Sequence, residues 1–270
     1  MTIYIGCAGW SISKQYASYF LGKGSLSQLE RYASKFNCVE INSSFYRPHQ
    51  PKTYARWSAS VPEGFRFSSK IPREITHALH LKGCKAELEK YFSEVGELGA
   101  KLGPLVVQLP PSLLFSALVV SDFFSLFRSL HNGPIICEAR HLSWFSPSVF
   151  QLLESLQIGL AAADPAIRKK SEIVLAHELP KPKGDLSCVY YRLHGFPDMY
   201  RSRYKDDYLQ RMAERLEVEV ANSTGWCVFD NTMHAFATLN AIELQTMTGG
   251  SFNDQDNARN RKAGSENIHY

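Results

Sequence analysis

Short apolar segments alternate with amphipathic segments along almost the whole chain, and this alternation limits the fold more than any other sequence feature. Eight of the segments are almost continuously apolar, as expected of strands that are covered on both faces. These predicted strands are residues 3–7, 39–42, 65–69, 105–109, 135–138, 159–163, 189–193 and 226–229.

The segments between the predicted strands carry apolar residues at helical spacing. Helices are predicted around residues 26–36, 51–57, 88–102, 147–156, 209–220 and 236–244. We expect Ser25 and Gln28 to form a capping box at the start of the first helix. Pro51 and Pro147 suit the first position of two others. The connection 165–186 is polar, contains three prolines and has no clear period.

Eight β/α alternations in about 245 residues predict an α/β protein, a TIM-type (β/α)8 barrel in a single domain. The barrel is expected to span residues 1–247, and the polar, aperiodic segment 248–270 is expected to be a flexible tail. A doubly wound sheet is the alternative. It would carry a phosphate-binding glycine fingerprint after the first strand, where this chain has Gly6-Cys7-Ala8-Gly9-Trp10.

Composition narrows the class of protein further. With 44% hydrophobic and 21% charged residues, the 270-residue chain is typical of globular proteins. Its net charge of +4 is too small to indicate a nucleic-acid partner. There is neither a signal-peptide pattern nor an apolar run of the ~18 residues that a membrane span needs, so we expect a cytoplasmic protein without a membrane partner. The six cysteines form no CxxC pair and are expected to be reduced, buried thiols.

Polar side chains are concentrated at the ends of the predicted strands, where the chemistry of α/β barrels is carried. One set is acidic or imidazole-bearing and comprises Glu40, Glu138, Asp164, His194 and Asp230. A second set is basic and comprises Lys70, Arg73, Arg140, His141, Arg192 and His194. Because an inward-pointing charge has to be paired or hydrogen-bonded, a ring of both signs is physically coherent.

Each set allows two interpretations. The acidic set fits a divalent metal site, or else Glu40 and Glu138 form internal ion pairs with Arg47, Arg140 or Arg192. Metal is the less favoured interpretation because only one member is a histidine, and the sequence leaves the cofactor unknown. The basic set fits recognition of phosphate or carboxylate, or else neutralisation of the neighbouring carboxylates. Lys70 alone also fits a Schiff-base nucleophile, which is a less favoured role.

Other strand-end side chains are candidates for contacting a ligand. Trp10, Tyr46 and Trp144 can stack on bases or sugars, or can simply pack in the core. The polar candidates are Asn42, Arg47, Gln108, Asp230 and Asn231.

Several strand-end motifs together resemble one known family. They are residues 5–10 (IGCAGW), 39–47 (VEINSSFYR), 101–103 (KLG), 108–112 (QLPPS), 138–141 (EARH) with Trp144, and 191–195 (YRLHG). With these motifs in this order, residues 3–246 resemble the YecE-like family, which is built on a domain of unknown function (number seventy-two). The resemblance implies a TIM barrel and no established reaction. Two positions depart from the family pattern: Asp230 stands where an asparagine is typical, and Ala139 stands where an aromatic residue is frequent.

The sequence therefore predicts an enzyme that acts on a phosphorylated or other anionic substrate, with phosphoester hydrolysis as the first hypothesis. In that hypothesis Arg140, Arg192 and Lys70 bind the anion. His194 transfers a proton with Glu138 or Asp164, and Glu40 orients a basic residue or binds a metal. A nucleic-acid-binding module without turnover is the alternative, and a sugar-phosphate isomerase or lyase is the third hypothesis. The sequence does not indicate an oligomeric state.

Overall fold

Strands and helices alternate along the chain in a mixed α/β fold. The structure is a computed structural model that describes residues 2–22, 24–167 and 178–249. Within these residues the strands are β1 (Thr2–Cys7), β2 (Cys38–Ile41), β3 (Arg66–Lys70), β4 (Leu102–Gln108), β5 (Ile135–Glu138), β6 (Ile158–Leu160), β7 (Ala162–Asp164), β8 (Lys183–Gly184), β9 (Cys188–Leu193) and β10 (Thr224–Phe229). The predicted tail, residues 248–270, lies outside the described residues apart from its first two positions.

The helices cover most of the predicted helical segments. They are α1 (Gln28–Ala33), α2 (Ser43–Tyr46), α3 (Pro51–Ala59), α4 (Lys85–Val95), α5 (Ala117–Leu130), α6 (Pro147–Ser155), α7 (Asp206–Glu219) and α8 (Phe236–Met247). In the described part of the chain, no helix has the length and apolar character needed to cross a membrane.

Two helical predictions need correction. The capping box of α1 is formed by Ser27 and Glu30, two residues beyond the predicted pair Ser25 and Gln28. The helix predicted over 88–102 ends at Val95, because the chain turns through Gly99 at φ 56° and then enters β4. Helix α5 was not predicted, although four of its residues form a buried stripe.

The strands pair in two sheets, and a closed eight-stranded ring is not found among the described residues. One sheet has the order β1-β10-β9-β7, and the other has the order β2-β3-β4-β5-β6-β8. Every pair is parallel except β6 with β8. The strand predicted over 159–163 is divided at Ala161, so that β6 pairs with β5 while β7 pairs with β9.

The two sheets approach each other closely between β1 and β2. The amide of Gly9 donates to the carbonyl of Glu40 at 2.9 Å. The Tyr32 hydroxyl accepts from the Cys7 amide at 2.8 Å and donates to the Cys38 carbonyl at 3.1 Å. A Cβ at Gly6 would lie 2.2 Å from the same carbonyl oxygen, so the approach requires glycine at this position. We call this contact the β1–β2 seam.

Apolar side chains form two clusters on opposite faces of the strands. The larger cluster lies between strands and helices. The smaller one joins both sheets and consists of Cys38, Val106, Ile136, Ala161, Cys188, Tyr190, Trp226 and Val228. Side chains two positions further along a strand lie on the same face. The strand ends therefore project polar residues directly beyond this smaller cluster. All six cysteines are buried free thiols.

Candidate functional site

Parallel strands bring their carboxyl ends to one edge, and the predicted polar residues meet there. Glu40, Glu138 and Arg192 lie within strands, while His194 and Asp230 directly follow β9 and β10. Four of them stand two positions after a member of the smaller apolar cluster, and His194 stands two positions after Arg192. This spacing places all five side chains on the same face of the strands. We call these five residues the strand-end cluster.

Arg192 is the centre of the strand-end cluster, and its side chain is fully buried. Its Nε donates to Glu40 Oε2 at 2.8 Å, and its Nη2 donates to Glu40 Oε1 at 2.6 Å. Its Nη1 donates to Glu138 Oε2, and Nη2 also reaches Asp230 Oδ2 at 3.3 Å. Because every guanidinium nitrogen faces a carboxylate, Arg192 has no free fork with which to bind a substrate anion, contrary to its predicted role.

Glu40 is enclosed in the same way. Both of its carboxylate oxygens are bonded to Arg192, and Oε2 also accepts from the Tyr190 hydroxyl at 3.0 Å. The hydroxyl of Ser68 lies 2.6 Å from that of Tyr190 and extends the chain of hydrogen bonds. Glu40 therefore contacts a basic residue with both oxygens, as the first of its two predicted roles would require.

His194 lies between two carboxylates and an arginine. Its Nδ1 is 3.1 Å from Asp230 Oδ2, and its Nε2 is 3.0 Å from Glu138 Oε1. The same Nε2 is 3.1 Å from Arg140 Nη2. A neutral ring with its proton on Nδ1 accepts from Arg140, whereas an imidazolium ring donates to both carboxylates. His194 thus has hydrogen-bond partners in either protonation state, as a proton-transfer residue requires.

The two carboxylates beside His194 are ionised. Burial raises the pKa of Glu138, but the charges of Arg192 and Arg140 outweigh it and hold that pKa well below its ordinary value. Burial likewise raises the pKa of Asp230, while the hydrogen bond to His194 and the charge of Arg192 bring it below the ordinary value. Burial lowers the pKa of Arg192, but the charges of the neighbouring carboxylates outweigh burial and raise that pKa above its ordinary value.

Lys70 ends β3 and is only 5% exposed, yet its side chain has no ion pair and no hydrogen bond within the described residues. Its Nζ lies 3.8 Å from the centroid of the Phe45 ring. Burial lowers the pKa of Lys70 to about 8, and the nearby charge of Arg192 adds to this effect. Although Nζ has no hydrogen-bond partner in the described residues, it is not fully enclosed and keeps a small contact with solvent.

Arg140 follows β5 and is the second cation with unused donors. Its Nη2 lies 2.5 Å from Glu138 Oε1, but its buried Nε has no hydrogen-bond partner in the described part of the chain. Gln108, at the end of β4, donates from Nε2 to the same glutamate oxygen at 3.3 Å. Arg140 is therefore anchored on one side only.

Three further predicted residues make other side-chain contacts. The Asp164 carboxylate accepts from the Tyr204 hydroxyl at 2.7 Å. Trp144 is 1% exposed, and its indole donates to the Leu113 carbonyl, which leaves no free ring face for stacking. Trp10 packs edge-on against Trp57, with ring centroids 4.9 Å apart.

The remaining predicted residues divide by exposure. Tyr46 is 73% exposed, and Arg47 is exposed beside it. Asn231 is fully buried and donates to the Ser202 carbonyl, but its Oδ1 has no hydrogen-bond partner among the described residues. The buried Oδ1 of Asn42 is unpartnered in the same sense.

Tyr200 was missed by sequence reasoning. Its ring lies edge-on to that of His194, with centroids 5.7 Å apart, and its amide donates to the His194 carbonyl. Tyr200 is 38% exposed and has a φ of 66°. It belongs to the loop after β9, and no motif or spacing distinguishes it there. Only the left-handed turn brings it over the strand-end cluster.

The carboxylates are engaged with arginines rather than arranged around a cation position. Among the residues described, no group of three or more His, Cys, Asp or Glu side chains is placed to hold a metal ion. Arg192 stands between Glu40, Glu138 and Asp230, where a shared cation would stand. The metal-binding role predicted for Glu40 is therefore not supported by its contacts.

The comparison with family models gives one match, to the family described as "Protein of unknown function DUF72", over residues 4–264. The UPF0759 protein YecE of Escherichia coli (strain K12) is 34% identical over 108 residues, which are 40% of this chain and 38% of that protein. The UPF0759 protein YunF of Bacillus subtilis (strain 168) is 29% identical over 158 residues, 55% of this chain and 54% of that protein. The chain thus spans only about two-fifths to half the length of these curated relatives.

Solved structures share the fold. A DUF72 family protein from Enterococcus faecalis V583 has a TM-score of 0.75 at 19% identity, covering 93% of this chain and 97% of that one. A DUF72 family protein from Thermotoga maritima MSB8 has a TM-score of 0.71 at 21% identity, covering 93% and 100%. At these identities the likeness concerns the fold alone.

Proposed function

This chain belongs to the DUF72 family, whose function is unknown, and from the geometry of the strand-end cluster we propose that it is an enzyme acting on a small anionic substrate. The substrate binds at the carboxyl ends of the parallel strands. Arg140 binds its anionic group, Lys70 faces its reacting part, and Asp230 with His194 transfers a proton.

One observation carries the proposal: two cations at this edge keep donors that no protein group uses. Arg140 has a buried, unpartnered Nε, and the Lys70 ammonium lacks any carboxylate partner in the described residues. An unsatisfied buried donor costs free energy, and the 14% of the Arg140 side chain that is exposed lets a ligand reach the guanidinium. Phosphate and carboxylate groups match the guanidinium fork of arginine, and the ammonium of Lys70 adds a second positive charge.

Proton transfer is supported by the pair of Asp230 and His194. Asp230 is ionised and slightly exposed, whereas His194 is fully enclosed behind it. Asp230 therefore takes a proton from the substrate. His194 stabilises the change by shifting its own hydrogen bonds between Arg140 and Glu138.

Of the three predicted reactions, the sugar-phosphate isomerase or lyase fits these residues best. Such a reaction needs one base, one acid and a cation that draws electrons from the substrate, which Asp230, His194 and Lys70 can supply. Phosphoester hydrolysis is the second candidate, because two cations also suit a phosphoryl group. It is less favoured because Glu40 and Glu138 are fully buried on arginines and cannot activate a water molecule.

Nucleic-acid binding without turnover is not favoured by any contact in the site. The stacking surface predicted for it depended on three aromatic residues. Trp144 is enclosed in the core, and Trp10 packs on Trp57. Tyr46 alone is exposed.

For the fold, we infer that the two sheets curve into one eight-stranded barrel of the TIM type. The continuous segment of β6 and β7 pairs with one sheet at each of its ends. At the opposite side the β1–β2 seam joins the sheets again. The smaller apolar cluster, with members from both sheets, then fills the barrel interior.

The proposal is tested by ligand binding with dihydroxyacetone phosphate and glycerol 3-phosphate, measured by titration calorimetry. We expect both to bind, and Arg140→Met to weaken binding at least about tenfold, the loss of one charge-assisted contact. Arg56→Met, which removes an exposed cation of α3, is the matched control and should bind normally.

Turnover is tested by exchange of the carbon-bound protons of dihydroxyacetone phosphate with D2O, followed by NMR. Asp230→Asn should abolish exchange while leaving binding within a few-fold of the original protein. The proposed function would be contradicted if neither phosphate binds, or if the Arg140→Met and Arg56→Met variants bind equally well.

A further inference from the structure

We propose that Lys70 is a covalent catalyst that forms an imine with a carbonyl group of the anionic substrate. This inference rests on the proposed function and narrows its substrate class to aldehydes or ketones that carry a phosphate or carboxylate.

The first ground is the lack of a partner for Lys70. A buried lysine normally pairs with a carboxylate. Three carboxylates lie in the strand-end cluster, but all are bonded to Arg192 and none to Lys70. The ammonium contacts the face of Phe45 instead. Its Nζ thus has no acceptor to hold its protons among the described residues.

The second ground is the surroundings of Nζ. An amine becomes nucleophilic when burial or a neighbouring cation disfavours its charged form. Both conditions hold for Lys70, which is only 5% exposed and feels the charge of Arg192. With a pKa of about 8, roughly a tenth of Lys70 is free amine at pH 7, against about four parts in ten thousand for an ordinary lysine.

The third ground is the position of Lys70 relative to acid–base groups. It ends a strand at the same edge as the strand-end cluster, and its charge is felt by Asp230 and by His77. Imine formation requires such a group, because the carbonyl oxygen has to leave as water. Asp230 and His194 can pass that proton.

The chemistry balances without a further reagent. The Nζ lone pair attacks the carbonyl carbon, and the oxygen takes up a proton to give a carbinolamine. A second proton converts the hydroxyl into water as the C=N bond forms. The protonated imine then draws electrons from the neighbouring carbon, whose C–H or C–C bond breaks. This gives an enamine, which takes up a proton on carbon to form the product imine. Hydrolysis of that imine by water returns the carbonyl and the free Lys70 amine.

The test is trapping of the imine with borohydride in the unmodified protein. Dihydroxyacetone phosphate and glyoxylate serve as carbonyl probes, and labelled lysines are identified by peptide mass spectrometry. We expect Lys70 to be labelled at least ten times faster than the exposed Lys52 and Lys85. Glycerol 3-phosphate, which has no carbonyl, should give no labelling.

The pH dependence gives a second readout. Labelling of Lys70 should rise with pH and level off above about 8, whereas labelling of Lys52 should still be rising there. Lys70→Met should lose the label, and its fold can be checked by circular dichroism. If neither probe labels Lys70 faster than Lys52, the imine is excluded. If dihydroxyacetone phosphate and glycerol 3-phosphate still bind in that case, the proposed function stands without the imine.

Discussion

At the scale of single residues, Arg192 determines which other groups are available for chemistry. Because it pairs with Glu40, Glu138 and Asp230, none of these carboxylates pairs with Lys70, although their charges still act on it. Its own charge also lowers the pKa of that lysine. Arg192 is therefore a positioning residue whose effect on Lys70 is electrostatic.

Replacing Arg192 should reverse the pH dependence of stability. In the original protein the lowered pKa of Glu138 contributes stability that is present above the ordinary carboxyl pKa of 4.5 and is lost as pH falls below it. In Arg192→Met the buried carboxylates lose their counter-charge, so their pKa values rise and acidification towards about pH 5 should stabilise the fold. The measurement is the free energy of unfolding in urea at several pH values.

Near neutral pH, Arg192→Met should lower the free energy of unfolding by about 3–5 kcal/mol, as expected when a buried ion pair is broken. Arg203→Met is the control, because Arg203 pairs with Asp206 and Glu243 at the surface and should cost below about 1 kcal/mol. Equal losses for the two variants would mean that the strand-end cluster is not the internal ion network described above.

At the scale of elements, a half-buried titratable group follows the carboxyl end of α5. Arg128 donates to the Gly133 carbonyl at 2.6 Å and to the Leu156 carbonyl at 3.3 Å, which ties α5 to the end of α6. His131 directly follows α5 and stacks on Phe92 of α4, with centroids 5.5 Å apart. Burial lowers the pKa of His131 to about 4, and the charge of Arg128 adds to this.

Because the folded protein favours neutral His131, its contribution to stability is complete above the ordinary pKa of 6.5 and is lost as pH falls towards about 4. His131→Phe keeps a ring on Phe92 and removes the titration. It should reduce the fall in unfolding free energy between about pH 7.5 and pH 4.5 by about 1–2 kcal/mol, a value that allows for solvent screening. The exposed His234, changed to Phe, should leave that fall unaltered. The same fall in His131→Phe as in the original protein would refute the assignment.

At the scale of the whole molecule, the sequence predicted where the polar groups meet but not how they pair. Parallel strands with apolar residues two positions before Glu40, Glu138 and Asp230 had to bring these carboxylates to one edge. Which cation neutralises them depends on distances across the two sheets, and no spacing along the chain encodes these. The sequence therefore predicts Arg192 and Lys70 as equivalent anion-binding residues. In the structure Arg192 is paired with carboxylates, whereas the Lys70 ammonium has no carboxylate partner among the described residues.

Local signals failed in the same way. The Ser25/Gln28 and Ser27/Glu30 pairs both resemble capping boxes, and only the entry of the chain into α1 selects the second. The division of the strand at Ala161 likewise follows from the need of one segment to pair with both sheets.

The β1–β2 seam provides the last test, because it joins the sheets with few backbone hydrogen bonds. The Tyr32 hydroxyl completes it by pairing the Cys7 amide and the Cys38 carbonyl. Tyr32→Phe leaves one buried donor and one buried acceptor unsatisfied, at a cost of about 2–4 kcal/mol in unfolding free energy.

Hydrogen exchange at the Cys7 amide should also become faster in Tyr32→Phe, because that amide loses its hydrogen bond to the Tyr32 hydroxyl. Tyr19→Phe, at a half-exposed tyrosine, is the matched control and should change stability by less than about 0.5 kcal/mol. If Tyr32→Phe is no more destabilising than Tyr19→Phe, the two sheets are not joined through this hydroxyl, and the inferred closure of the barrel loses its principal support.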